Sequence, residues 1–271
     1  KAGNGSDGLT AINLSWAAVT GDADFIAIYR KGFGDYPEYN DGIIGATPAA
    51  PVSLVGGWTL VTTLPATSTG YPDEFTTRDF WSYAAYVLDE CGNTSPVSAI
   101  TSGTLNYHLG DVVTAGGNNL VDTNDMSLLG FYYGNVGIPY GDTTRNMLDV
   151  GPTTDFSVDA RPTTDNRLQF EDLMVFAINY EQVTKNDPQA RPAATNAIAL
   201  APEAIGSVGS TFDVAIVLAA DGRIQGLSVP LTWDATVVEP VDMRAGDLLD
   251  AFGSEAMILS PEAGTVDAAL M

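Results

Sequence analysis

A single cysteine, Cys91, excludes any intramolecular disulfide in this 271-residue chain. Histidine is just as scarce. His108 is the only one, which rules out multi-histidine metal sites and argues against a Ser/His/Asp device. It lies in Tyr107-His108-Leu109, at an expected domain junction, where a structural role is the simpler reading. Positive charge is also short: 11 Lys and Arg stand against 34 Asp and Glu, a formal net charge of −23. That balance opposes binding to nucleic acid or to anionic membranes. No apolar run approaches the length of a membrane-spanning helix, so no membrane insertion is expected. Neither a Gly-x-Ser-x-Gly elbow nor a phosphate-binding glycine loop occurs. A carboxylate pair for glycoside hydrolysis stays open among so many acids. Once the modules below are assigned, however, no segment is left for a catalytic cleft, and we expect no enzyme activity. The chain opens at Lys1 without Met or signal peptide, which leads us to expect a processed protein or a fragment.

What the chain does have is a duplication. A shift of 47 residues superimposes Asn119 on Asn166, Val121 on Leu168, Asp125 on Asp172, Gly130 on Ala177 and Tyr133 on Tyr180. Each copy reads as a loop running into a short amphipathic helix. Met126, Leu129 and Tyr133 repeat at helical spacing, as do Leu173, Phe176 and Tyr180. The loops carry oxygen donors at alternate positions before a closing acid, as calcium requires. With Asp125 at position 12, Asn118 falls at 5, the Leu120 carbonyl at 7 and Asp122 at 9. With Asp172 at position 12, the corresponding residues are Asp165, the Arg167 carbonyl and Gln169. Asn119 and Asn166 occupy position 6, which needs a left-handed backbone that Asn tolerates. Val121 and Leu168 at position 8 would let the loops pack back to back. The competing reading makes these residues turn formers in solvated loops.

These residues resemble the dockerin repeat of bacterial cellulosome-type proteins, over roughly residues 109–181. The resemblance implies two loop–helix units folded around two calcium ions. The family opens each loop with an Asp eleven residues before the closing Asp, where this chain has Thr114 and Arg161. The best substitutes are Asp111 and Asp149, at the cost of inserted residues. Asp155 or Asp159 could contribute at position 3, and the doubled Pro-Thr-Thr-Asp at 152–155 and 162–165 suggests that Asp155 duplicates Asp165.

Residues 1–104 alternate as β-strands between turn signals, in Ile12–Trp16, Phe25–Arg30, Trp58–Val61 and Phe80–Leu88. Leu14-x-Trp16 early and Tyr83-x-x-Tyr86-Val87-Leu88-Asp89 late resemble a fibronectin type III domain, with Trp16 as the core tryptophan. Phe80–Tyr86 reads as core and sheet surface rather than as a sugar platform. The Gly-, Pro-, Tyr- and Asp-rich loop 31–51 could carry contacts, and contact of the chain with polysaccharide also stays open. Residues 182–196 read as a linker. Beyond it, Thr211–Leu218, Ile224–Asp234 and Val237–Val241 alternate, and Gly226-x-x-x-x-Leu231-x-Trp233-Asp234 with Arg244–Leu249 resembles the first part of a cohesin. Only about half of such a sandwich fits before Met271. Strands lacking partners expose unpaired edges, so we expect either a longer natural chain or an outside partner to complete the sheet.

The expected fold is therefore multidomain and mainly β: an N-terminal β-sandwich, a small α loop–helix calcium module (105–181), and a partial C-terminal β-sandwich (197–271). The expected function is a calcium-stabilised, secreted or cell-surface structural protein. Its partners would be copies of itself, joined head to tail, or other extracellular proteins. An anchoring region of a secreted carbohydrate-active enzyme, or a stalk merely welded by calcium, are the alternatives. Asn4, Asn13 and Asn93 match the glycosylation sequon.

Overall fold

The computed structural model describes residues 9–34, 57–113, 117–139, 141–181, 196–202, 206–220, 224, 226–252, 256–261 and 264–270. The linker up to residue 195 and most of the 31–51 loop lie outside these residues, as does the sequon at Asn4. The fold is mainly β, and the chain divides into two compact units, 1–182 and 183–271.

The first unit begins with a β-sandwich. Strands β2 (Phe25–Gly32), β3 (Thr59–Pro65), β5 (Phe80–Leu88) and β6 (Thr104–Leu105) form an antiparallel sheet in the order β3-β2-β5-β6. Strands β1 (Ile12–Ser15) and β4 (Gly70–Asp73) form a second antiparallel pair. Alternation along β2 and β5 sends side chains to both faces, and both are covered. Ile26, Ile28 and Tyr83 face Ile12 of the small sheet, with Trp16, Tyr71 and Trp81 packed around them. Ala27, Tyr29, Ala84 and Tyr86 pack with Trp58, Val97 and Ile100 on the opposite face. Trp16, expected to be the core tryptophan, is only partly buried against the Ile12 cluster, with Nε1 donating to Ser68 O at 2.7 Å, and Trp58 is the tryptophan buried in a core cluster.

The far side of β5 is closed by an irregular segment. Ser95, Ser98 and Thr101 donate their amides to the carbonyls of Val87, Ala85 and Tyr83. Their hydroxyls accept from the amides of the same three β5 residues at 2.9–3.0 Å. Each hydroxyl stands in for the carbonyl that a true strand partner would offer, so a residue every third position satisfies an edge that repeats every second.

Two helices follow, α1 (Thr123–Tyr132) and α2 (Phe170–Asn179). Their inner faces coincide with the expected ones: Met126, Leu129, Leu173, Phe176 and Tyr180 are buried, and Tyr133 is half-buried. Val121 and Leu168 are wholly buried too. Each loop is tied to the far end of the other repeat. Val121 bridges Tyr180 and its carbonyl accepts from Glu181 N, while the Leu168 carbonyl accepts from Gly134 N and its amide donates to Asn135 O. Full burial of each large aliphatic or aromatic side chain is worth about 1.5–3 kcal/mol, so this small interlocked core is enough to hold two ten-residue helices.

The sandwich and the helix pair are stitched together. Asn106 accepts from Asp79 N and donates to Thr77 O, and Leu105 N donates to Asp159 O. Asn119 Nδ2 donates to Leu9 O and Asn179 Nδ2 to Leu109 O. The Arg161 guanidinium stacks 3.6 Å from the Phe33 ring. His108 is buried in this seam, the structural setting expected for it.

In the second unit, β7 (Ala197–Pro202) pairs with β8 (Val214–Ala219), and β10 (Ala256–Leu259), β11 (Thr265–Leu270) and β9 (Gly226–Pro230) form a three-stranded antiparallel sheet. A short α3 (Asp247–Phe252) stands where the sequence pattern ended in Asp247-Leu248-Leu249. Val237 and Val238 lie in a turn after Asp234 rather than in a strand, with their amides donating to the Asp234 carbonyl. Among the described residues of this unit only Asp267, Ala268 and Ala269 are buried, and β7 is exposed along its whole length.

Candidate metal centre

Each helix is started by an acid at its third residue. Asp125 accepts from the amides of Val112 (2.9 Å), Val113 (2.8 Å) and Asp122 (2.9 Å). Asp172 accepts from the matching amides of Val150 (2.7 Å), Gly151 (2.9 Å) and Gln169 (2.9 Å). Each carboxylate thus closes its loop onto the residues next to the opening acid, and sits in the first turn where the helix dipole favours negative charge. Burial is the larger influence on both, and raises their pKa values above the ordinary carboxylate range, Asp172 strongly. Gly151 has no room for a side chain, because a Cβ there would meet the backbone of Glu171 and Asp172.

The opening acids are the two that the sequence offered as substitutes. Asp111 accepts from Asn118 N (2.9 Å) and Asn119 N (2.7 Å), and Asp149 from Asn166 N (2.8 Å). Eight positions separate Asp111 from Asn119, whereas seventeen separate Asp149 from Asn166. The extra residues fold into their own small hairpin, closed by the Thr153–Pro162 bridge and by Thr154 N to Arg161 O, so the acid returns to the same place. Asn119 (φ 67°) and Asn166 (φ 64°) hold the left-handed turn expected of them. Asn118 Oδ1 accepts from Leu120 N and Asp165 Oδ1 from Arg167 N, both at 2.9 Å, so the position-5 side chains make the same bond in each loop.

The remaining sequence-derived ligands are placed less alike. Asp122 is the N-cap of α1 and accepts from Asn124 N at 2.7 Å, while Gln169 is the N-cap of α2. Asp155 is exposed near the tip of the inserted hairpin and accepts from Ser157 N at 2.9 Å. Leu120 and Arg167 offer their carbonyls from turns that their own amides help to close.

The loops differ in how their opening acids are satisfied. Both oxygens of Asp111 are used: Oδ1 by Asn118, and Oδ2 by Asn119 and by Arg78 Nη2 at 2.5 Å. Asp149 accepts at Oδ2, and no donor meets its buried Oδ1 in good hydrogen-bond geometry, although the Asp165 amide lies near enough to act on the carboxylate. Burial pushes Asp149 up to about 7; the backbone amides of Asn166 and Asp165 oppose the rise, and the charges of Asp165 and Glu171 add to it. Asn119 Oδ1 is also unsatisfied, but the amide of that residue is turned towards Leu9.

Among the described residues, no three His, Cys, Asp or Glu side chains form a ready metal cluster. Calcium, however, draws on carbonyl, amide and water oxygens as well as carboxylates. A buried carboxylate oxygen that no donor meets in good geometry fits such an ion. Nothing in the sequence near residue 78 marks Arg78 as a neighbour of Asp111, a contact 33 positions away. Comparison with known proteins finds no matching family model, no matching curated protein and no matching solved structure.

Proposed function

We propose that this chain belongs to a non-catalytic, calcium-stabilised extracellular structural protein whose modules join copies of itself or other surface proteins. The observation that carries the reading is the pair of loops built on one hydrogen-bond plan, one of which leaves Asp149 Oδ1 buried with no donor in good geometry. Calcium bound there would supply positive charge to Asp149 and Asp165, with the Arg167 carbonyl, Gln169 and Asp172 as further oxygen donors. In this reading residues 1–104 are a fibronectin type III-like spacer, 105–181 a dockerin-like module and 197–271 the start of a cohesin-like sandwich. The exposed strands of the second unit support a docking role. Ile198, Leu200, Val214 and Val217 are between 44% and 55% exposed on β7 and β8, a surface that gains by being covered. The extracellular assignment rests on composition.

The test is size-exclusion chromatography with light scattering on one sample, in millimolar calcium and then in chelator, with melting curves alongside. Larger species in calcium that dissolve on chelation support assembly. A higher melting temperature at unchanged size supports calcium but not self-association. No response in either quantity refutes the calcium reading.

A further inference from the structure

We infer that the first loop takes no calcium because Arg78 fills it, so that the module binds one divalent cation, at the second loop, where the duplication suggests two. The inference rests on the calcium reading above. Arg78 lies in the turn before β5 of the sandwich, and its guanidinium is pinned at both ends of Asp111. Nη1 donates to the Asp111 carbonyl at 2.7 Å and Nη2 to Oδ2 at 2.5 Å. Both side chains are almost wholly buried, at 5% and 0% exposure. Behind the guanidinium stands the Tyr107 ring, 4.8 Å away. In front of it the loop backbone passes so close that a Cβ on Gly117, at φ 75°, would overlap both Nη2 and the Asp111 carboxylate. The cationic group is therefore enclosed by the loop rather than laid across its surface.

A guanidinium keeps its proton at any ordinary pH. It neutralises Asp111 permanently, and its like charge repels a divalent cation from the same carboxylate. Among the described residues no bond from a cation to the Asp149 carboxylate corresponds to that from Arg78 to Asp111. The charges acting most on Asp149 are acids, and Arg161, which belongs to the inserted hairpin, stacks on Phe33. The same pin joins the sandwich to the module, since Arg78 belongs to the first and Asp111 to the second. The first loop thus works as a calcium-independent weld, and the second as the cation-responsive half.

The test is a count. Full-length protein stripped with chelator is titrated with calcium chloride by calorimetry, and the ions bound are counted by native mass spectrometry. One ion per chain is expected. Asp149→Asn should abolish uptake, lowering affinity at least 100-fold, while Asp111→Asn should leave one ion bound. Arg78→Met should raise the count to two, and Arg78→Lys, which keeps the charge, should leave it at one. Circular dichroism checks that each variant folds, and the wild-type count stands without them. Two ions in the wild type overturn the inference and leave the calcium reading intact. Uptake lost in Asp111→Asn but kept in Asp149→Asn also overturns it. No uptake at millimolar calcium overturns the calcium reading itself.

Discussion

Replacing Asp172 by Ala tests whether the closing acids organise the helix pair before any ion is considered. Asp172 is wholly buried and accepts from three amides, those of Val150, Gly151 and Gln169. Truncation leaves the first two donors buried and unpaired and the third partly so. An unsatisfied buried donor costs about 1–3 kcal/mol, so the gross loss is about 4–5 kcal/mol. Removing a carboxyl whose ionisation is opposed by burial returns part of this. The net expectation is about 3 kcal/mol, a large share of the roughly 5–15 kcal/mol that holds a typical domain together. Asp172→Asn keeps an oxygen for Val150 and Gly151 but turns an amide group towards Gln169 N–H, and should cost about 1–2 kcal/mol. Urea unfolding of the full chain in chelator, followed by far-ultraviolet circular dichroism, reads both. Asp125→Ala should match Asp172→Ala within about 1 kcal/mol, since its three donors are equivalent. A loss below about 1 kcal/mol in Asp172→Ala would refute the assignment of this carboxylate as the loop's anchor.

The left-handed turn gives a second expectation. Asn166→Gly should be near neutral, whereas Asn166→Ala should cost about 1 kcal/mol by the same unfolding assay, because a Cβ without a local hydrogen bond is strained at φ 64°. The acids give a third, for chelated protein. Asp149 titrates near 7 when folded, so the folded state holds a proton that the unfolded state has already lost. The resulting stabilisation is complete below the ordinary Asp range and is lost as pH rises through about 7, so the urea midpoint in chelator should be higher at pH 5 than at pH 8. Saturating calcium, which prefers the charged acid, should shrink or reverse that difference; an unchanged slope would count against an ion at Asp149. Burial gives a fourth. A fragment ending at Gln182 should unfold cooperatively, while residues 183–271 alone, with so few buried side chains among the described residues, should show no cooperative melt in calorimetry.

The helix pair was readable because its signals are local. Apolar residues at helical spacing, Asn at a left-handed position and an acid three residues into each helix occur twice, and one copy corroborates the other. The opening acids were harder. Asp149 lies seventeen positions before Asn166, and only a hairpin that closes on itself at Thr153–Pro162 makes that distance harmless. Long-range contacts left no local trace. The bond from Arg78 to Asp111 spans 33 positions and joins a strand-edge turn to a loop. Ser95, Ser98 and Thr101 closing the edge of β5 follow a period of three, which reads as loop because no strand repeats that way. The apolar Val121 and Leu168 at position 8 predict loops that pack back to back. Both are buried as expected, and the backbone of each is bonded to the end of the opposite repeat.

That crossed bonding links the two loops mechanically. The start of α1 is held by Asp125 and its far end, through Gly134 and Asn135, by the backbone of Leu168 in the second loop. The start of α2 is held by Asp172, and Glu181 beyond its far end by Val121 in the first. Neither repeat can complete its hydrogen bonds without the other, so ordering either loop favours the whole pair. An ion at Asp149 would therefore stabilise the first loop without touching it. Conversely, the weld between Arg78 and Asp111 would hold the second loop near its bound geometry before the ion arrives, reducing the ordering cost of binding. A duplicated module needs two ions only if both halves must be charged from outside. Here the β-sandwich supplies one charge from its own sequence, and the half that remains open is the one whose buried carboxylate oxygen no donor meets in good geometry.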